Sequence, residues 1–243
     1  MRQLTNHPLT KWFDKNRFTI LCVSLLMFFM MPSLMETFID AWVSQAIYLS
    51  IITLASINLM QTRRKKILFS ILALVASIIL SATKLSKIEG NIYEKLVFGI
   101  FIIYFSMIAY NLFKQFKQIK KVDESMIIAS ISGYLLLGTL AFLAFCMTEV
   151  LQPGSFTNTQ TILSQHSEIK NLFEMTLYSK HIISDLFYFS FISMSTIGYG
   201  DIYPVSQVAR KLSVLVGIIG PFYMAIVVAS IVGLFMNKPE TEK

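Results

Sequence analysis

Long apolar runs alternate with short charged turns along this chain. Six runs stand out, over residues 18–35, 41–60, 67–82, 96–113, 126–148 and 212–236. A helix needs ~20 residues, within a range of about 17–25, to cross a hydrocarbon core. The pattern therefore predicts six transmembrane helices. The third run is slightly short, and Ser81, Thr83 and Lys84 extend it, with Lys84 reaching back to the interface. None of the six interiors holds Asp, Glu, Lys, Arg or His, and a charge at the helix centre costs ~2.5–3.5 kcal/mol.

A seventh stretch departs from this pattern. Residues 149–180 are polar, rich in Ser, Thr, Asn and Gln, with Pro153 and Gly154, and read as an outer loop. Residues 184–195 then turn apolar and aromatic. At ~1.5 Å per residue such a helix is too short to span, so a re-entrant helix is expected. Ser184 is the expected N-cap, and Asp185 suits the first turn.

Composition agrees with a membrane protein. Hydrophobic residues make up 55% of the 243 positions and charged ones 14%, against about 25% charged in soluble domains. Cys22 and Cys146 both sit in apolar runs and read as packing residues. The net charge of +7 would suggest nucleic acid in a soluble protein. Here it resolves into a topology instead, and no nucleic-acid partner is expected. With six helices threaded, 14 basic residues fall on one side and 7 on the other. The richer side holds Arg63, Arg64, Lys65 and Lys66 in one turn and Lys114, Lys117, Lys120 and Lys121 in another. The positive-inside rule places that side, with both termini, in the cytoplasm. The two clusters also have the charge to hold anionic lipid headgroups. No cleavable signal is expected at the N-terminus, because the run from Phe18 lacks a small-x-small site. His166 and His181 read as solvated loop histidines. Neither a metal-ligand cluster nor a nucleophile–base pair is apparent, so no enzyme activity and no cofactor are expected.

The chemistry sits directly after the short helix, in Thr196-Ile197-Gly198-Tyr199-Gly200-Asp201. Non-helical backbone at membrane depth is tolerated only where protein or a water-filled cavity covers it. The two glycines permit backbone angles of alternating hand, and such a strand aims successive carbonyls one way. Four strands around an axis would stack rings of oxygen able to replace the water shell of a dehydrated cation.

TIGYGD resembles the selectivity filter of potassium channels, in the variant with Ile at the second position. The order of outer helix, loop, pore helix, filter and inner helix is also similar to that family. The resemblance implies an all-α membrane fold: six transmembrane helices plus a re-entrant pore helix and filter loop, assembled as a homotetramer. It implies that the carbonyls of Thr196, Ile197, Gly198 and Tyr199, with Gly200 completing the strand, bind K⁺ as the permeant ion. Tyr199 would then point away from the ion into an aromatic collar. Tyr188 and Phe189 would support the filter, Tyr188 through a hydroxyl near Asp201. Ile192 stands where some members place a Glu, so an Asp–Glu pair is not expected. Gly220 falls where many members keep a hinge glycine, which makes 217–221, with Gly217 and Pro221, the expected bend of the inner helix. Ala225, Ala229 and Gly233 lie on one stripe of that helix and read as a close-packing face.

The implied organisation is a cytoplasmic N-terminus over 1–17, a four-helix domain over 18–122 and a pore domain over 123–236. Within the last lie the outer helix 126–148, outer loop 149–180, pore helix 184–195, filter 196–201 and inner helix 212–236. A short cytoplasmic tail, 237–243, follows. The run 96–113 has no Arg or Lys, so the arginine-rich sensor of voltage-gated members is not expected. The expected protein is a K⁺-selective channel of the plasma (inner) membrane. A less selective cation channel and a potassium-transport or regulatory subunit stay open as alternatives.

Overall fold

The computed structural model describes residues 16–35, 51–57, 59–60, 63–85, 91–116, 124–165 and 182–236. Lys117, Lys120, Lys121, His166, His181 and the segments 1–15 and 237–243 lie outside the described residues. Seven helices follow in chain order: α1 (Arg17–Met35), α2 (Arg63–Leu85), α3 (Asn91–Phe116), α4 (Glu124–Leu151), α5 (Thr157–Gln165), α6 (Ile182–Met194) and α7 (Gln207–Met236). Residues 51–57 are also helical. Among the described residues, three helical stretches are long and apolar enough to cross a membrane: Lys95–Phe116, Ser125–Leu151 and Gln207–Gly233.

The helices divide between two compact units. The first holds α1, α2, α3 from Ser106 onward and α4 as far as Leu136. Its core is a strip on each helix, such as Leu21 and Leu25 on α1 and Phe69, Ala73 and Ala76 on α2. Other apolar residues of α2 are uncovered, with Leu68, Ile71 and Leu74 exposed. Apolar side chains left uncovered beside a buried stripe suit a lipid surround rather than water. Cys22 and Cys146 are both buried and unpaired.

The second unit holds α3 up to Phe105, α4 from Leu137, α5, α6 and α7 up to Ala229. α6 lies at its centre and buries Ile182, Leu186, Phe189, Ser190, Ile192 and Met194. Aromatic rings bind it to α4. Phe189 meets Phe145 at 5.1 Å between centroids and Phe156 at 5.4 Å, and Phe145 meets Phe156 at 5.5 Å. A second file runs from Phe142 to Phe187 at 5.3 Å and on to Phe191 at 5.0 Å. Each such pair adds ~0.5–1.5 kcal/mol beyond its buried area. Gly138 of α4 ends this file, since a Cβ there would overlap the Phe191 ring. The glycine is thus the slot into which α6 presses its last aromatic side chain.

Several boundaries differ from the sequence expectation, three of them near the loop after α6. α6 starts at Ile182, so Ser184 lies in its first turn instead of capping it. Asp185 is in that turn and accepts a 2.8 Å hydrogen bond from Asn158 Nδ2. The outer segment contains a helix, α5, where polar composition suggested only loop. α7 begins at Gln207, five residues before its apolar run, because Ser206 caps it: the Ala209 amide donates to Ser206 Oγ at 3.2 Å.

The Gly138–Phe191 slot makes a stability prediction. Gly138→Val should cost ~1–3 kcal/mol through overpacking, read as a lowered thermal midpoint of the solubilised protein. In a Phe191→Ala background the same substitution should cost at least ~1 kcal/mol less, because contacting residues couple. Equal costs in both backgrounds would refute the contact.

Candidate functional site: the loop after α6

α6 ends in a particular hydrogen-bond pattern. The Thr196 amide donates to the Ser193 carbonyl at 3.2 Å, and the Ile197 amide to the Ile192 carbonyl at 3.0 Å. The residue between these bonds in the chain, Thr196, has φ 59°. That is a Schellman ending, in which an αL residue reverses the chain and satisfies the last carbonyls. Glycine is the usual occupant. A β-branched threonine there costs of order 1–3 kcal/mol of backbone strain, which persists only where the surroundings enforce it.

The pattern then continues. The Gly198 amide also donates to Ile192 O, at 3.3 Å. Gly198 has φ 55° and Gly200 φ 81°, while no positive φ occurs at Ile197 or Tyr199. The hand of the backbone therefore alternates from Thr196 to Gly200. In a trans peptide the C=O points opposite the N–H of the next residue. Three consecutive amides, of Thr196, Ile197 and Gly198, turn back toward the carbonyls of α6. The carbonyls of Ser195, Thr196 and Ile197 consequently face away from it, on an exposed strand. These are uncompensated oxygens in a row, which is the chemistry that coordinates a hard, dehydrated cation.

The two residues expected to support this loop do different things. Tyr188 stands within hydrogen-bonding reach of the Asp201 carboxylate, so its hydroxyl braces the outer end of the strand. Phe189, one position on, packs into the Phe145–Phe156 cluster. It anchors α6 to α4. Ile192 is buried; its contribution to the loop is its carbonyl. Tyr199 is 72% exposed and Ile197 54%, so no collar surrounds Tyr199 within one chain.

α7 meets the end of α6 at its glycines. A Cβ on Gly220 would overlap the Met194 carbonyl, and one on Gly217 would lie 3.8 Å from the Ser193 carbonyl. Gly220 is thus a seat for the base of the loop. α7 runs unbroken through Pro221 to Met236. Ala225, Ala229 and Gly233 are exposed, and nothing in the chain lies within 4 Å of a Cβ placed on Gly233.

One residue of the site escaped the sequence reading. α4 continues to Leu151, which places Glu149 inside its last turn, fully buried. The Glu149 carboxylate accepts from the amides of Gly154, through Oε1, and of Ser155, through Oε2 at 3.1 Å. A buried carboxylate demands such partners. The loop so gathered then holds the segment that follows the strand. Val205 N donates to Ser155 O at 2.7 Å, Thr157 N to Tyr203 O at 3.1 Å, and Phe156 bridges Pro204 in antiparallel fashion. The only signal in the sequence was an acid beside an apolar run, four positions before Pro153.

A helix pair enclosing a short apolar helix, whose end releases a strand of outward carbonyls, fits the architecture of an ion-channel pore. Residues 131–237 match the profile of a family described as ion channel. That match spans somewhat under half of the chain and supports its assignment to the two-helix potassium-channel pore family. Searches among curated proteins and among solved structures return no match.

Glu149 generates a testable consequence. Glu149→Ala leaves two amides without acceptors, at ~1–3 kcal/mol for each buried group. Amide exchange should accelerate at Gly154 and Ser155 and at the dependent amides of Thr157 and Val205. Exchange unchanged at Val205 would show that the carboxylate does not hold the segment beyond the strand.

Proposed function

We propose that this protein is a potassium-selective channel that conducts K⁺ passively through a homotetrameric pore. The observation that carries the reading is the alternating backbone hand across Thr196–Gly200, with three amides turned back on α6. One chain supplies one such strand. A ring of oxygens around an ion needs several, and fourfold closure is the arrangement in which TIGYGD-type strands meet. The surface of α7 leaves room for such neighbours: only 17% of its apolar span is buried within the chain, against 61% of the span in α4.

In this reading the carbonyls of Thr196, Ile197, Gly198 and Tyr199 hold K⁺, and Gly200 completes the turn of the strand. Tyr199 packs on a neighbouring subunit. Tyr188 and Asp201 clamp the outer end. The four N-terminal helices complete a six-helix chain with both termini in the cytoplasm. No arginine-bearing helix responds to voltage, because the run 96–113 carries no basic residue. Gating resides in the pore unit, where Gly220 couples α7 to the base of the filter.

Reconstitution into liposomes tests the reading. K⁺ and Rb⁺ should flux strongly, Na⁺ at least ~10²-fold less, and Ba²⁺ should block, since selectivity of this kind comes from carbonyl rings. Equal Na⁺ and K⁺ flux would overturn selectivity, and a native mass other than four chains would overturn the assembly.

The Gly220 seat yields a separate expectation. Gly220→Ala drives a methyl group against the Met194 carbonyl, so it should lower K⁺ flux and weaken the assembly. Pro221→Ala restores a helix hydrogen bond and should alter open probability while leaving the K⁺/Na⁺ ratio intact. Wild-type gating in both variants would remove 217–221 from the gating apparatus.

A further inference from the structure

Four basic residues of the first compact unit lie at one end of α2 and α3. The Lys65 ammonium, in the first turn of α2, sits over the Tyr110 ring of α3 at 5.7 Å from its centroid. Tyr110 is 62% exposed. Lys114 follows one turn later on the same face of α3 and is also exposed. A second tie fixes this arrangement: Gln115 Nε2 donates to the buried Leu59 carbonyl, in the turn that leads to α2. Arg64, Lys65, Lys66 and Lys114 are thereby gathered at one end of two helices.

No acid lies on α2, and the one acid of α3, Glu94, is in its first turn at the opposite end from Lys114. No Asp or Glu occurs between residues 61 and 88 or between 95 and 122. Immediately beyond the cations α2 turns apolar, and Ile67, Leu68, Ile71 and Leu74 are all exposed. Cations, then an amphipathic ring, then an uncovered apolar helix face reproduce the layering of a membrane leaflet from headgroup to acyl chain. A soluble polyanion would match the cations but not the apolar face beside them.

We propose that this cluster is a binding site for an anionic phospholipid, for which phosphatidylglycerol serves as the probe. Lys65 and Lys114 hold the headgroup phosphate, with Arg64 and Lys66 flanking it. Tyr110 lies at the level of the ester groups, and the acyl chains run along Leu68 and Val75, exposed residues on the side of α2 that Lys65 shares. The site belongs to the first unit and does not depend on ion conduction.

The test uses the full chain, delipidated in detergent. It is titrated with phosphatidylglycerol or with phosphatidylcholine of identical acyl chains, and bound lipid is read by native mass spectrometry. Wild type should retain phosphatidylglycerol preferentially. Lys65→Gln/Lys114→Gln should weaken that binding about 25-fold, roughly five-fold per charge removed, and leave phosphatidylcholine unaffected. Lys65→Arg/Lys114→Arg should preserve it. Equal binding of the two lipids by wild type, or undiminished phosphatidylglycerol binding by the Gln pair, overturns the proposal. If the Gln pair does not fold, Lys114→Gln alone, in an exposed last turn, should show the five-fold loss, and no loss there overturns it equally. Excess inorganic phosphate should not displace the lipid, and displacement would replace the lipid site with a free-anion site.

Discussion

The carbonyl of Ile192 governs the pore unit. It is one of the last acceptors of α6, left without a helical partner, and helix ends leave four such groups unsatisfied. Here it receives two amides, of Ile197 and Gly198, from the strand beyond. The same bonds that finish the helix therefore set the direction of the strand. Thr196 must enter the left-handed region for this to happen, with φ 59°. That strain is sustainable because α6 is held from two sides. Gly138 admits Phe191 from α4, and Gly220 admits Met194 from α7. Either side chain larger than hydrogen would shift the helix end and, with it, the row of carbonyls.

The outer half of the loop rests on a different interaction. Glu149 brings a carboxylate into a fully buried position at the C-terminal end of α4, where the helix dipole disfavours negative charge. Two convergent amides answer both problems, and the turn they define is the one that pairs with Tyr203, Pro204 and Val205. Strand and exit are thus tied to separate helices: the base to α6 and α7, the exit to α4. Tyr188 and Asp201 stand between them.

What the sequence disclosed follows from the range of the forces involved. The apolar runs that form α1 to α4 and α7 are local patterns, and so is the glycine spacing that allows Gly198 and Gly200 their positive φ. Those were legible. The pairing of Thr157 with Tyr203 spans 46 residues and has no periodic trace. α5 was hidden for a related reason. Its polar residues look like loop, yet its start is fixed by Thr159, whose hydroxyl donates to the Phe156 carbonyl at 2.8 Å, and by the burial of Phe156 among aromatic rings. Phe189 and Tyr188 are adjacent in sequence, yet a helix turns neighbours by about 100°, so Phe189 packs among the rings of Phe145 and Phe156 while Tyr188 reaches Asp201. Glu149 looked like the first polar residue of a loop because a lone acid carries no sign that two amides await it.

Two kinds of surface remain uncovered in a single chain, and lipid treats them differently. The apolar residues of α7, such as Phe222, Ile226 and Val228, can face acyl chains at no cost, so their exposure alone does not call for a partner. The strand from Thr196 to Gly200 cannot. Its outward carbonyls would each cost several kcal/mol against hydrocarbon, and the amides that might have satisfied them are already committed to α6. Water, an ion, or other copies of the same strand are the remaining partners. A water-filled cavity at that depth itself needs walls, which one chain with exposed Ile197 and Tyr199 does not provide. In the proposed pore it is the polar backbone, more than any hydrophobic face, that would favour assembly around an axis.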